Sequence, residues 1–248
     1  MTDLFLKYMS ERFIAEYEKD RVQDRKSDPG PVITISRDTG CSASAISKML
    51  YDQIQLKLYN GKQNPGSWKL IDKEVLHIAA QTLEINPTEL DYVFKDVEKA
   101  ALSEVLESLS SKYYHSDRKI KRIVTNVIRS MAERGHIIFL GRGSVAVTRS
   151  IKNALHVRFV APLDWRINQV AVRFNLTMVK AATFVKESDE RRTKLIECFG
   201  GKYDNSLFDV TFNTATLTHE EIVDQIFGLA KHKGLFNDVE INSEYYQH

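Results

Sequence analysis

The sequence has few cysteines, almost no excess charge and no long apolar run, and each shortage excludes a class of protein. Cys41 and Cys198 are the only cysteines among 248 residues, and their distance in sequence fits neither a disulfide framework nor a structural zinc site. The 35 Lys and Arg residues against 33 Asp and Glu residues leave a net charge of +2, which argues against a dedicated nucleic-acid-binding protein. We therefore expect a cytoplasmic protein with reduced thiols, in which phosphate binding is confined to a local site.

The two ends of the chain are expected to lie outside the main domain. Residues 1–30 place charges among apolar residues at helical spacing and end in a Pro-Gly turn. This pattern is typical of an amphipathic helix and not of a signal peptide or a membrane segment. The polar residues 237–248 predict a frayed tail. One domain over residues 31–236 remains.

Five short apolar segments, each bounded by turn residues, are typical of strands buried on both faces of a sheet. Helical patterns separate them, which predicts βαβ units and a mainly parallel sheet with helices on both faces. We expect the first strand to be central, because a small-residue loop and a helix follow it directly. The expected strands are Val32–Ile35, Trp68–Ile71, Ile137–Leu140, Leu155–Val160 and Asp209–Asn213.

The segment between the second and third expected strands is too long for a simple crossover. Asn86 and Pro87 begin a helix with an acidic surface, and a second helix, over residues 117–134, is basic and carries one apolar stripe. Gly135 is placed as the C-terminal cap of the second helix. Two interpretations are open, a helical hairpin with complementary charges and a nucleic-acid-binding helix, and the near-neutral chain favours the hairpin.

The strongest local signal is the loop between the first expected strand and the helix that begins near Ser42. Small residues leave the backbone N–H groups of such a loop accessible and direct the positive end of the helix at a bound anion. The loop is a candidate phosphate loop, and a purely structural turn explains the same residues. The G-x-x-x-x-G-K-[ST] pattern is absent, because Ala43 and Ala45 stand where the lysine and the magnesium-binding hydroxyl would be.

Five separated segments follow one another as ITISRDTGCSAS, WKLIDKEVLHIAA, HIIFLGRGS, LHVRFVAPLDWRI and SDERRTKLIECFGGKYDNSLFDVTFNT. In this order they resemble the cytidylate-kinase-like proteins, a branch of the nucleoside-monophosphate kinases with the P-loop NTPase fold, over about residues 31–230. The resemblance implies a three-layer α/β fold with a five-stranded parallel sheet, a helical insertion over residues 86–135 at the monophosphate, and a lid at about residues 174–204. It also implies ATP with Mg²⁺, without indicating which protein groups would hold the metal.

Matched position by position, the family pattern implies three groups of site residues. The phosphate loop would be Gly40, Cys41, Ser42, Ala43 and Ser44, and the monophosphate would be faced by Asp72, Gly141, Arg142 and Gly143. The lid would contribute Arg191 and Arg192. Independently of the family pattern, Arg166 and Arg173 lie seven residues apart on the preceding helix and so share one of its faces. Converging arginines would spread positive charge over a transferring phosphoryl group. Since the loop lacks its lysine, we expect Arg37 to replace it and to act with Arg166, Arg191 and Arg192 in catalysis.

These assignments have structural alternatives that the sequence leaves open. Arg142 also fits an ion pair with a neighbouring carboxylate, and Asp72 fits the N-cap of a helix beginning at Lys73. Ser188 fits the N-cap of an ordinary helix within a charged run. A nucleophilic Cys41 has no evident histidine partner, and the histidines stand singly, which predicts no metal site.

Two functions follow from the residues and the resemblance. The first is ATP-dependent phosphoryl transfer to a nucleoside monophosphate through a degenerate phosphate loop, with cytidylate implied by the resemblance alone. The alternative is a catalytically weak or inactive nucleotide-binding protein of the same fold that regulates a partner. The missing lysine favours the alternative, and the retained arginines favour the enzyme. Nucleotides are the expected ligands, and contact with a second copy through the N-terminal helix or the helical hairpin stays open.

Overall fold

The computed structural model describes residues 30–61, 67–72, 117–200 and 202–237, and a five-stranded parallel sheet lies at its centre. The strands are β1 (Val32–Arg37), β2 (Lys69–Ile71), β3 (Ile137–Leu140), β4 (Ala154–Val160) and β5 (Val210–Asn213). Their order across the sheet is β2-β3-β1-β4-β5. The N-terminal helix, most of the helical insertion and the polar tail that the sequence predicts lie outside the described residues.

β1 occupies the middle of the sheet and is buried on both faces. It pairs with β3 from Val32 opposite Ile137, and with β4 from Val32 opposite Ala154. The side chains of Ile33 and Ile35 enter the core on one face and that of Val32 enters the core on the other, a setting in which β-branched side chains pack well. The predicted parallel sheet and its central first strand are confirmed, with strand ends within two residues.

Helices cover both faces of the sheet and complete three layers. They are α1 (Ala43–Tyr59), α2 (Asp117–Arg134), α3 (Ser144–Thr148), α4 (Leu163–Phe174), α5 (Met178–Gly200) and α6 (His219–His232), with a 3₁₀ turn at Asn205–Leu207. α1 and α6 pack on one face of the sheet, and α2 and α3 pack on the other. In the part of the chain that the structure describes, no helix is long and apolar enough to cross a membrane. The three-layer α/β fold that the resemblance implies is confirmed.

Two helix ends are fixed by local chemistry, and the second is the Gly135 cap predicted from the sequence. At the start of α6, Thr218 Oγ1 accepts a hydrogen bond from the backbone N–H of Glu221, and the Glu221 carboxylate accepts one from the backbone N–H of Thr218. Gly135 follows α2 with φ +72°, and a Cβ there would lie 2.5 Å from the Cα of Gly30. Only glycine allows this approach, so α2 ends tightly against the chain that enters β1.

The alternative in which Ser188 is the N-cap of a helix is wrong. α5 is one continuous helix, and Ser188 is a buried residue in its interior. The residues before it contain no glycine or proline and include helix formers such as Ala181 and Lys186, so nothing separates two helices here. The Ser188 hydroxyl accepts a hydrogen bond from Arg191 Nη2 at 2.8 Å instead of capping a helix. The charged run after Ser188 is therefore the middle of a long helix.

A polar pair is buried in the centre of the sheet. Thr34 Oγ1 on β1 and His156 Nδ1 on β4 are 2.8 Å apart in a hydrogen bond, and the Asp209 carboxylate accepts a hydrogen bond from the backbone N–H of His156 at 2.7 Å. Burial lowers the pKa of His156 below its usual 6.5, and nearby Asp209 opposes that shift only in part. The folded protein therefore keeps this imidazole neutral at a pH where the unfolded chain would protonate it.

We expect the free energy of unfolding to fall as the pH drops below about 6.5, because the unfolded chain then binds a proton that the folded chain excludes. The loss approaches about 1.4 kcal/mol per pH unit between the unfolded and the folded pKa. Urea unfolding at pH values from about 7.5 to about 5 measures it. His156→Gln should reduce this dependence, whereas His232→Gln, at the exposed end of α6, should retain it. The same pH dependence in the parent and in His156→Gln would contradict the assignment.

Candidate active site

The loop after β1 holds two residues in the left-handed backbone region. Gly40 has φ +99°, and a Cβ there would lie 2.8 Å from the backbone oxygen of Arg166, so a larger residue would force the loop and α4 apart. Ser42 has φ +47° and precedes α1, but its side chain makes no capping hydrogen bond. A non-glycine residue in this conformation costs about 1 kcal/mol, which the surrounding packing must offset.

The loop presents backbone N–H groups at the positive end of α1. Among the described residues, the N–H groups of Gly40, Ser42, Ala43 and Ser44 donate to no other atom. Unpaired N–H groups and the helix dipole favour an anion at this position. The loop residues that the resemblance selects therefore include the unpaired N–H groups that an anion cradle requires, and anion binding by this loop stays a prediction.

A carboxylate from α5 binds one end of this loop. Asp189 Oδ1 accepts hydrogen bonds from the backbone N–H of Thr39 at 2.7 Å and from Thr39 Oγ1 at 2.6 Å. The other oxygen, Oδ2, accepts from Arg166 Nη1 at 2.6 Å. Arg192 Nη1 lies 3.2 Å from Oδ1 and also donates to Thr39 Oγ1. Asp189 thus joins the loop, α4 and α5 through one side chain.

Arg166 is placed differently from the other arginines that the sequence selects. Its side chain is only 8% exposed, and it donates to the carbonyl oxygens of Ala161 and Thr39 at 3.0 and 3.2 Å as well as to Asp189. Its guanidinium is therefore engaged with the protein itself. Arg166 and Arg192 do converge at the loop, while Arg191 donates to the Ser188 hydroxyl.

A second group of charges lies beside the loop, where β1 and β3 end. The Arg37 guanidinium is packed so closely on Gly141 that a Cβ at Gly141 would overlap its Nη1 atom. Burial lowers the pKa of Arg37 to about 10; the charges of Arg192 and Arg142 add to this effect, and Asp72 opposes it. The charge of Arg37 is thus close to those of Arg192 and Arg142, and Asp72 offsets it in part.

Arg142 lies in a turn of three successive left-handed residues. Gly141, Arg142 and Gly143 have φ values of +75°, +59° and +70°, which the flanking glycines adopt without strain. Arg142 Nε lies 3.4 Å from Asp72 Oδ1, so the ion pair that the sequence left open is present. Whether Asp72 also caps a helix concerns residues from 73 onward, which lie outside the described part of the chain.

The other candidate chemistries gain no support. Cys41 is buried, and this burial raises the pKa of its thiol, which disfavours the reactive thiolate. Within the described ranges, no three His, Cys, Asp or Glu side chains are grouped to hold a metal ion. His77 and His115 lie outside those ranges.

One cleft connects the loop to α4 and α5. Its lining consists of Arg37, Asp38, Thr39, Gly40, Cys41, Ser42, Ala43, Ser44, Gln169, Val170, Arg173, Phe174, Phe184 and Arg192. Thr39 and Asp189 are not among the residues that the sequence selects, because the charged run of α5 indicates a source of cations there. Phe174 and Phe184 are not among them either. An aromatic residue directly before the turn between α4 and α5 was the one sequence signal for this pair.

The chain is similar to known proteins over a region that includes α4 and α5. A model of the cytidylate kinase-like family matches residues 67–216. The match includes Asp72, Arg142 and the helices α4 and α5, and it begins after the loop that follows β1. A cytidylate kinase from Sulfolobus acidocaldarius is 25% identical over 175 residues, which cover 69% of this chain and 92% of that protein.

Of two further similarities, one covers only a short part of the chain and the other shows only the fold. A uronate isomerase from Corynebacterium glutamicum is 29% identical over 93 residues, but these span 36% of this chain and only 18% of the isomerase. A solved structure of an uncharacterized protein from Eubacterium ventriosum aligns with a TM-score of 0.54 at 18% identity, covering 82% of this chain and 98% of that one. This structural likeness shows a common fold and nothing about the reaction.

Proposed function

This chain belongs to the cytidylate kinase-like family, and we propose that it transfers a phosphoryl group from ATP to a nucleoside monophosphate, with cytidylate as the acceptor that the family suggests. The observation that carries the proposal is the arginine group at the loop. Arg37 lies within electrostatic range of Arg142 and Arg192, beside a loop with unpaired N–H groups. Such an excess of positive charge suits two phosphate-bearing ligands that meet at this point.

In the proposed reaction, an oxygen of the acceptor monophosphate attacks the terminal phosphorus of ATP. The bond from that phosphorus to the bridging oxygen breaks, its electron pair stays with ADP, and the acceptor becomes a nucleoside diphosphate. The loop N–H groups hold the donor phosphates and Arg142 holds the acceptor phosphate. Arg37 and Arg192, which line the cleft at the loop, stabilise the charge on the transferring group. Asp189 and Arg166 position the loop against α5 without touching either substrate.

The residues near the loop do not suit a direct metal site. Asp38 is paired with Arg158 at 3.2 Å, and Asp189 is paired with Arg166 and Arg192. When bound, Mg²⁺ would supply charge neutralisation to the ATP phosphates. We therefore assign its coordination to phosphate oxygens and water and give none of its ligands to the described residues.

A second function, nucleotide binding without turnover, is favoured by two observations on the loop. Ala43 is only 6% exposed and belongs to the core, so the usual lysine has no counterpart there. The Asp189 carboxylate takes the N–H of Thr39, which removes one loop donor from a phosphate. Both features weaken catalysis more than binding, because a transferring phosphoryl group depends on charge that develops in the transition state.

One experiment separates these two functions. A coupled assay of ADP formation from ATP, run with each common nucleoside monophosphate, measures turnover, and calorimetric titration of the same nucleotides measures affinity. Turnover with a pyrimidine monophosphate supports the kinase. Binding of ATP without turnover for any acceptor supports the binding protein. Absence of binding by every nucleotide would overturn both proposals.

Arg142→Ala is expected to lower monophosphate affinity by about 10- to 150-fold, since a charge-assisted bidentate contact contributes about 1.5 to 3 kcal/mol. The free energy of unfolding should change by less than about 1 kcal/mol, because the Arg142 and Asp72 side chains are 22% and 32% exposed. Calorimetry and urea unfolding measure the two effects. Lys152→Ala, which removes one charge from an exposed position, is the control. Unchanged monophosphate affinity in Arg142→Ala would show that Arg142 has only a structural role.

A further inference from the structure

Two phenylalanines lie in contact at the outer end of the cleft. Phe174, the last residue of α4, is 51% exposed, and Phe184 on α5 is 38% exposed. Their ring centroids are 5.6 Å apart with the ring planes inclined at 51°. Both rings line the same cleft as the loop residues from Arg37 to Ser44. A partly exposed aromatic surface therefore shares one cavity with the anion cradle.

The buried core between α4 and α5 does not include these two rings. The buried contacts between the two helices are made by other apolar residues, namely Val170, Ala171, Ala181 and Val185, with Ile167 and Leu176 packed against them. The two rings line the cleft and stay partly exposed to solvent. A ligand that covers them removes apolar surface from water, which favours binding.

The cleft has a different chemistry at each end. The inner end offers unpaired loop N–H groups and the positive charges of Arg37 and Arg192. At the outer end, the Arg173 guanidinium lies 5.5 Å from the centroid of the Phe174 ring, and Gln169 contributes an amide. A molecule that satisfies both ends is anionic at one terminus and flat and aromatic at the other. A free polyphosphate would leave the rings uncovered, and an apolar peptide would leave the loop empty.

We propose that Phe174 and Phe184 form a stacking platform for the base of the nucleoside triphosphate whose phosphates lie on the loop after β1. This inference rests on the proposed function and extends it by locating the donor base. Stacking uses the π-face that all bases share. The platform therefore accepts different bases, and nucleoside triphosphates with different bases bind with affinities within a few-fold of one another.

The test compares ATP with inorganic tripolyphosphate, which carries the anionic end alone. Calorimetric titrations, with Mg²⁺ present throughout, are made on the parent protein, on the double variant Phe174→Leu/Phe184→Leu and on Phe174→Tyr. The double variant should lose about 10- to 100-fold in ATP affinity and keep its affinity for tripolyphosphate, since only the base stacks. Phe174→Tyr keeps a ring and should bind ATP as the parent does. Met178→Ala, at an exposed position of α5 away from the cleft, is the control, and thermal unfolding checks that each variant is folded.

The outcomes distinguish the platform from the function on which it rests. If the parent binds tripolyphosphate as tightly as ATP, or if the double variant keeps full ATP affinity, the platform is refuted and the phosphate site stands. Equal losses for ATP and tripolyphosphate would also refute it, because they would mean that the rings support the loop. If the parent binds neither ligand, the proposed function fails and the platform fails with it.

Discussion

Asp189→Ala is expected to lower the free energy of unfolding by about 2 to 4 kcal/mol, a large part of the stability of a typical domain. The substitution removes the acceptor of four hydrogen bonds, two from Thr39 and one each from Arg166 and Arg192. Arg166 is buried, so its guanidinium would keep its charge without the carboxylate that compensates it. The 28% exposure of the Asp189 side chain keeps the expected loss below that of a fully buried pair. Urea unfolding measures the effect.

Two variants of α5 calibrate this result. Glu190→Ala removes the neighbouring, exposed carboxylate and should change the free energy of unfolding by less than about 0.5 kcal/mol. Asp189→Asn keeps one acceptor oxygen but loses the charge, so we expect a loss between those of the two alanine variants. If Asp189→Ala costs no more than Glu190→Ala, the hydrogen bonds of Asp189 do not hold the loop to α5.

Gly141→Ala is expected to reduce affinity for ATP and for the monophosphate by about 10- to 100-fold, although the change adds only one methyl group. The new Cβ would overlap Arg37 Nη1, so the guanidinium would have to shift away from its position beside the loop. The loss corresponds to the charge-assisted contacts that a displaced Arg37 can no longer make. Calorimetric titration with each nucleotide measures it.

Gly61→Ala is the matched control for this prediction. Gly61 has φ +72°, close to the +75° of Gly141, but a Cβ there would meet no atom within 4 Å. Both variants therefore carry the cost of a left-handed alanine, about 1 kcal/mol of stability, and only Gly141→Ala displaces Arg37. Equal nucleotide affinities in the two variants would contradict the role assigned to Arg37.

The sheet could be predicted from the sequence because each strand is specified locally. Segments such as Val32–Ile35 and Ile137–Leu140 are short, apolar and rich in β-branched residues, and a buried parallel strand requires little else. The capping box at Thr218 is likewise contained within four residues. Local chemistry of this kind can be read without knowing what packs against it.

The site required information that local patterns do not carry. Thr39 and Asp189 are 150 residues apart in the chain, and only the docking of α5 on the loop brings them together. The same contact decides that Arg166 is buried against Thr39 and Asp189, although its spacing from Arg173 suggested that both face a ligand. An isolated sequence gives the type and position of each charged residue but not which of them neutralise one another.

The central position of β1 also determines when the sheet can form during synthesis. Val32 pairs with Ile137 on one side and with Ala154 on the other, so both partners are translated more than 100 residues after it. The strand that carries the loop is translated before both of its strand partners, so among the described residues β1 has no paired strand until Ile137 and the residues after it have been made. Contacts of such long range slow folding and leave the apolar Val32–Ile35 segment exposed to aggregation in the meantime.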